Sequence, residues 1–357
     1  MEHKSRNFKF MYGNFNIKEN PVIIGLESSC DETAAAIIRG RKILSSVIIS
    51  SATEQAKYGG VVPEIASRAH TDAVDCVVKQ AVERAGISVK DIDAVAVTYG
   101  AGLLGALLVG LSFAKSLAYA LNVPLIAVNH IRGHLAAAYL ADERLEPPYI
   151  TLLASGGHTA ILHTKEYEKF EVIASTTDDA AGEAFDKVAR ILGLPYPGGP
   201  NVQRLAESGK PCIKFPQALV KNSERMQFSY SGLKTSVINY CHNAQQKGEE
   251  VNRADVAASF QCAAIDPLVK KTVETAVNLG VKTVTAGGGV AANGYLRETL
   301  TAACKKHNLK LVLPEKAFCT DNAAMIASEG LIQYKAENFA PLNINAVAQI
   351  PLKSVDN

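Results

Sequence analysis

The sequence predicts an α/β protein of two duplicated lobes facing a nucleotide cleft. Three observations predict it. Strand-like and helix-like runs alternate along 357 residues, a length beyond one ordinary small domain. An opening pattern of strand, small-residue turn, Thr-Ala and strand returns later, with Thr33-Ala34-Ala35-Ala36-Ile37-Ile38 answered by Thr159-Ala160-Ile161-Leu162. Between the two copies, Glu146-Pro147-Pro148 breaks the chain. The expected division is a tail over residues 1–20, a first lobe over 21–147 and a second over 148–357.

Residues 22–26 are an apolar run short enough for a buried strand, and 33–38 and 43–50 supply two more. Helical periodicity covers 62–85, after a Gly59-Gly60 break. A strand over 92–98, a glycine-rich loop over 100–105, a helix over 107–121 and a strand over 125–128 follow. The stretch leading into residue 121 is apolar enough to suggest a membrane span. Lys115 and several small residues interrupt it, so a buried helix and no membrane are expected. The next helix stops near Asp142. After the proline break come a strand over 149–154, the turn Ser155-Gly156-Gly157-His158 and a strand over 159–163. Helices over 180–192, 251–278 and 295–307 and a strand over 282–286 complete the second copy. Residues 194–225 read as loop, with Pro195, Pro197, Pro200, Pro211 and Pro216.

Composition narrows the function classes. Hydrophobic residues at 48% and charged residues at 20% argue for a well-cored protein and against extended disorder. The net charge is only +2, so a nucleic-acid partner must be held by a local basic patch or with another subunit's help. Seven cysteines form no Cys-x-x-Cys pair and are odd in number, which reads as reduced thiols of a cytosolic protein. Residues 1–20 lack the apolar segment of a secretory signal, and Glu2 and Glu19 speak against a mitochondrial presequence.

His130 and His134 stand one helical turn apart in Asn129-His130-Ile131-Arg132-Gly133-His134, a spacing that lets two imidazoles grip one divalent metal. The bland alternative is two structural histidines. Asp321, at the head of a late small-residue helix, is a candidate third ligand, although Asp there ordinarily caps the helix. Two His and one carboxylate leave positions open for ligand oxygens. Ile131 occupies the place where a zinc peptidase carries its general-base Glu, so a protease lacks its proton-transfer residue.

The turns at Ser28-Ser29 and Ser155-Gly156-Gly157 are small enough to bring backbone N–H groups against a phosphate, or are ordinary hairpin turns. Gly287-Gly288-Gly289-Val290-Ala291-Ala292-Asn293 follows a strand and opens a helix, where a base or ribose can lie on bare backbone. Asn293 there is free to bond ribose hydroxyls or to cap the helix. The run is neither a Walker loop nor Gly-x-Gly-x-x-Gly. Asp179, Glu183 and Asp186 are spaced as one helix face, either solvated or binding hydroxyls or a second cation. Cys30 and His158, beside the two turns, show no partner for nucleophilic work.

Together, Gly25-Leu26-Glu27-Ser28-Ser29-Cys30-Asp31-Glu32-Thr33, the His130–His134 segment, Ala154-Ser155-Gly156-Gly157-His158-Thr159 and the Gly287–Asn293 run resemble the TsaD family of tRNA threonylcarbamoyladenosine transferases. Phe185-Asp186-Lys187, Tyr196-Pro197-Gly198-Gly199-Pro200, Phe228 to Lys234 and Ser259-Phe260-Gln261 extend the match. The resemblance implies the actin-like ATPase fold, in agreement with the duplicated lobes. It implies transfer of threonylcarbamoyl from threonylcarbamoyl-adenylate to N6 of adenosine 37 in tRNAs reading ANN codons. By similarity, His130, His134 and Asp321 bind one iron or zinc ion, and Leu153, Ala154, Ser155, Gly156, Gly157, Asp186, Gly199 and Asn293 bind the adenylate. Many members carry Asp where this chain has Gln203, so a ribose contact there is lost or passes to the amide. Asp31 or Glu32 is a candidate to orient or deprotonate the amine. Partners implied by analogy are tRNA, a TsaB-like paralogue and a TsaE-like ATPase. The competing classes are a non-catalytic actin-like nucleotide-binding scaffold, which an intact metal site argues against, and a small-molecule kinase or ATPase.

Overall fold

The computed structural model describes residues 16–220 and 227–352. The expected tail therefore lies outside the described residues as far as residue 15, and 16–20 are exposed. The chain divides into two compact units. Unit one joins the chain up to Leu145 to Asp321–Leu352, and unit two is Glu146–Thr320.

Unit one holds five strands: β1 (Val22–Glu27), β2 (Glu32–Arg39), β3 (Lys42–Ser50), β4 (Ala94–Gly100) and β5 (Leu125–Asn129). Their order is β3-β2-β1-β4-β5. The hairpin pairs β1–β2 and β2–β3 are antiparallel, while β1–β4 and β4–β5 are parallel. All six residues of β1 are buried, as a strand covered on both faces requires. Its alternation assigns each face. Ile24 and Leu26 pack with Val77 of α1 (Pro63–Ala85) and Leu111 of α2 (Leu104–Leu121). Ile23 packs instead with Met325, Ile326 and Tyr334 of the last helix, α9 (Ala323–Lys335).

That helix corrects the expected division, which assigned everything after residue 147 to the second lobe. Sequence order is overridden by shape, because α9 presents small residues where it meets the sheet. A Cβ on Gly25 would run into Ala323 O, and one on Gly330 would stand 2.6 Å from Ala96 Cβ. Only small residues allow the helix to lie so close to β1 and β4.

The buried-helix expectation for 107–121 is met on one face of α2, through Ala106, Leu107, Gly110, Leu111, Ala114 and Ala118. Leu104, Leu108 and Tyr119 on the other face are exposed. Among the described residues this is the one helix long and apolar enough to cross a membrane.

Unit two repeats the plan. Its strands are β6 (Tyr149–Ala154), β7 (Thr159–Glu166), β8 (Lys169–Thr176), β9 (Gln227–Phe228), β10 (Thr283–Gly287) and β11 (Lys310–Val312). Their order is β11-β10-β6-β7-β8-β9. With edge strand β9 set aside, β8-β7-β6-β10-β11 reproduces unit one strand for strand and in the same senses. Around this sheet stand α4 (Ala181–Ile191), α5 (Gly198–Ala206), α6 (Ser231–Lys247), α7 (Arg253–Asn278) and α8 (Gly294–Lys306).

The loop expected over 194–225 contains α5. Pro200 falls in its first turn, where a missing N–H costs no helical bond, and Val202 and Ala206 then bury one face. All seven cysteines are free thiols, as expected.

Candidate metal centre and nucleotide-binding turns

Within unit one, β5 runs directly into α3 (His130–Ala136). Asn129 caps the helix, its side chain accepting from the Ile131 N–H at 2.9 Å, and this fixes where the first histidine points. Asp321 stands just ahead of α9. The capping expected of it is done by Asn322, which accepts from the Met325 N–H at 2.9 Å. The Asp321 carboxylate is thereby left for the histidines. Its Oδ1 lies 3.4 Å from His130 Nε2 and 3.3 Å from His134 Nε2, and the imidazole centroids are 4.6 Å apart.

The three donor atoms fall within 4.8 Å of one another. Ligands about 2.1 Å from a common ion stand roughly 3.0–3.4 Å apart, so the set fits a small divalent cation. His134 carries the stronger sign. Its side chain is 1% exposed, yet neither ring nitrogen makes a hydrogen bond, Nε2 lacking the alignment for one with Asp321. A buried polar group left so costs about 1–3 kcal/mol, a cost that coordination removes.

Glu27, to which the sequence reading gave no role, closes the second layer. At the end of β1 and fully buried, its Oε2 lies 3.0 Å from His130 Nδ1 and accepts from Thr98 Oγ1 at 2.7 Å. Its Oε1 accepts from the Ser29 N–H at 2.6 Å. A proton on Nδ1 facing Glu27 leaves Nε2 free to ligate, the usual way a carboxylate sets a metal-binding imidazole. The one signal in the sequence was a carboxylate ending an otherwise apolar strand.

Charge follows this geometry. Burial pushes the Asp321 carboxyl up, but His130 and then His134 hold it well below the usual carboxylate range. Burial works to lower His130, and Asp321 and Glu27 outweigh it, so the imidazole sits well above its ordinary value. Glu27 is likewise held low, His130 overcoming the effect of burial.

Asp31 lies in the β1–β2 turn and Glu32 opens β2. Burial, followed by the charges of Asp321 and Asp31, pushes Glu32 up to about 10. Burial and the charge of Asp31 also push the Cys30 thiol far up, so it is a poor nucleophile. His70 of α1 pins the turn: its Nε2 donates to Cys30 O at 3.0 Å and its Nδ1 lies 2.7 Å from Thr33 Oγ1. Nothing in the sequence singled out His70.

The two small-residue turns, alike in sequence, differ in structure. The first is filled by its own unit. The Ser28 hydroxyl donates to Ala106 O at 3.0 Å, and the Ser29 hydroxyl lies 3.2 Å from His130 Nδ1. The second, in unit two, is open: a side chain at Gly156 or Gly157 would find no atom of the protein within 4 Å of its Cβ. Leu153 and Ala154 end the buried strand β6 that leads into it. Gly288 holds φ +89° directly behind, where a Cβ would collide with Ala154 O.

The other residues expected to bind adenylate are also in unit two. Asp186 Oδ1 accepts from the Gly198 N–H at 2.7 Å, and Gly199 beside it is open like Gly156. Gln203 is engaged rather than idle, its Oε1 accepting from the Gly294 N–H at 3.0 Å. Asn293 caps α8 by accepting from Leu296 N–H at 3.0 Å, and its Nδ2 donates to Gln261 at 3.0 Å.

The acidic stripe does not form as one face. Asp179 precedes α4 and binds Lys187 at 2.8 Å and Lys234 at 2.9 Å, while Lys187 also binds Glu183 at 2.8 Å. Asp178 accepts from the Tyr230 N–H at 2.7 Å and Ser229 Oγ at 2.5 Å. These acids tie the 228–234 segment to α4 instead of awaiting a second cation.

Comparison with known proteins gives the family and the fold. The sequence model described as "TsaD: tRNA N6-adenosine threonylcarbamoyltransferase" matches residues 42–328. The chain is similar to the tRNA N6-adenosine threonylcarbamoyltransferase of Clostridium botulinum (strain 657 / Type Ba4), 49% identical over 94% of this chain and 99% of that one. It is 51% identical to the protein of that name from Clostridium beijerinckii over 94% and 99%. In fold it is similar to solved proteins of the actin-like ATPase type. T.kodakarensis HypF has TM-score 0.61 at 16% identity, covering 90% of this chain and 48% of that one. The Acidaminococcus fermentans (R)-2-hydroxyglutaryl-CoA dehydratase component A has TM-score 0.53 at 16% identity, covering 88% and 98%.

Proposed function

From the membership of this chain in the TsaD family of tRNA N6-adenosine threonylcarbamoyltransferases, we propose that it moves threonylcarbamoyl from threonylcarbamoyl-adenylate to N6 of adenosine 37 in tRNAs reading ANN codons. The observation that carries the reading is the convergence of His130, His134 and Asp321 around unsatisfied, buried nitrogens.

The donor is a mixed anhydride and already activated. The N6 amine attacks the carbamoyl carbon, the new C–N bond forms, the bond to the phosphate oxygen breaks with its electron pair leaving on AMP, and the amine gives up one proton to water. No enzymic nucleophile is required, in keeping with the elevated Cys30 thiol. The chain's task is to hold the donor and position the amine. An Fe2+ ion, or alternatively Zn2+, held by the two histidines and Asp321 would supply Lewis-acid withdrawal of charge from donor oxygens. Glu27 keeps His130 turned for that purpose.

The open backbone of Gly156 and Gly157 takes the donor's phosphate, with Leu153, Ala154 and Ser155 shaping the approach. Asp186, Gly199, Gln203 and Asn293 receive the rest of the nucleotide. Asp31 or Glu32, at the first small-residue turn, orients the incoming amine. The TsaB-like paralogue and TsaE-like ATPase are expected partners by family analogy, and the cytoplasm is the expected compartment.

The test is purified chain with tRNA, synthetic threonylcarbamoyl-adenylate and both partners, followed by mass spectrometry of the tRNA nucleosides. The modified nucleoside is expected; its absence sinks the proposal. In the same assay Gly156→Val is expected to weaken donor use roughly tenfold or more, with thermal stability unchanged. An Asp31→Ala protein as fast as the original would remove the role given to Asp31.

Glu27→Gln probes the second layer separately. It keeps the shape and loses the charge facing His130, and metal affinity is expected to fall about 10–100-fold. Competition against a chelator measures this, and an unchanged affinity would show that Glu27 serves the fold alone.

A further inference from the structure

We propose that Arg132 and Glu329 are positioning residues, a clamp between α3 and α9 that sets the spacing of the metal donors. The inference rests on the metal reading above. Arg132 stands between the two histidines in sequence, and its Nε donates to Glu329 Oε1 at 2.6 Å. Glu329 is the only charged residue of α9 before its last turn, and its side chain is 3% exposed. Gln333, one turn on, donates to the same oxygen at 3.1 Å.

Two neighbouring contacts bring the helices close enough for this bond. Ser328 Oγ donates to Ala136 O at 2.8 Å. At Gly133 a Cβ would stand 2.7 Å from Ile326 Cδ1, so no side chain separates the helices there. The helix α3 carries two donors of the metal set, and the lead into α9 carries the third. Sliding α9 by one residue moves its lead by about 1.5 Å, enough to take Asp321 Oδ1 out of reach of both imidazoles.

Packing alone does not require a charged pair here. Two apolar side chains of similar size would hold the helices about as firmly, since desolvation consumes most of a buried ion pair's attraction. What the pair adds is direction: a planar guanidinium meeting one carboxylate oxygen accepts one register and resists others. That oxygen also receives Gln333, so the acid is fixed from two sides.

The full-length protein tests this with Zn2+ alone as probe, its affinity read by competition with a chromophoric chelator and its stability by thermal unfolding. Arg132→Gln and Glu329→Gln are each expected to weaken Zn2+ binding about tenfold, the low end for residues acting through a ligand. Because each removes one charge from a largely buried ion pair, the apolar pair Arg132→Met with Glu329→Leu is the deciding variant. It is expected to unfold near the temperature of the unmodified protein and still bind Zn2+ about tenfold more weakly. An apolar pair that binds as tightly as the unmodified chain overturns the clamp. If the unmodified chain itself binds no better than His134→Ala, the metal reading fails and the clamp with it.

Discussion

Alanine at His134 or at Asp321 is expected to stop tRNA modification while leaving the fold standing. His134 makes no hydrogen bond, and Asp321 keeps His130 at 3.4 Å when the His134 ring is removed. Asp321 is not the cap of its helix, Asn322 being so, and α9 keeps its start without it. Neither change therefore has a route to global unfolding. Each removes one of three donors, and the charge withdrawal of a bound cation is worth several kcal/mol. A loss of about 4 kcal/mol is roughly a thousandfold in rate. Nucleoside mass spectrometry in a strain depleted of its own enzyme measures the loss, and metal per chain measures its cause. Wild-type modification by either variant would end the metal assignment.

Gly25→Ala is expected to have the largest effect on stability, about 3 kcal/mol or more, at the upper edge of overpacking costs. The added Cβ would run into Ala323 O and stand 2.7 Å from Ala327 N and 2.9 Å from Ala327 Cβ. Backbone and a methyl cannot swing aside, so β1 and α9 must part at the centre of unit one. For a unit of this size the loss corresponds to a fall of roughly 6–12 °C in the thermal transition. Gly156→Ala is the control, since its Cβ meets nothing. Equal melting of the two proteins would contradict the close approach.

What could be read from the sequence follows from which interactions are local. The His130–His134 spacing is a property of one helix, and the buried strands show in unbroken apolar runs, so both were legible. The duplicated sheet was legible in its first hairpins, because strand, turn and strand are contiguous. The side of the fold on which α9 lands was not, since it depends on a surface more than 150 residues earlier in the chain. Its small residues, Ala323, Ala324, Ala327 and Gly330, marked a close-packed helix without naming its partner. Glu27 and Glu329 were visible as lone carboxylates in apolar settings, but a lone charge does not announce which cation it meets. The helix α5 was hidden by glycine and proline, whose loop preference weakens in the first turn.

The chain leaves unit one at Leu145 and returns at Asp321, so unit two is a continuous insertion within its host. During synthesis the inserted unit is complete before the host receives its last sheet-covering helix. Until then one face of the host sheet lacks α9, and its two imidazoles lack the Asp321 carboxylate. All three candidate donors are therefore present only once the chain has been made past residue 321.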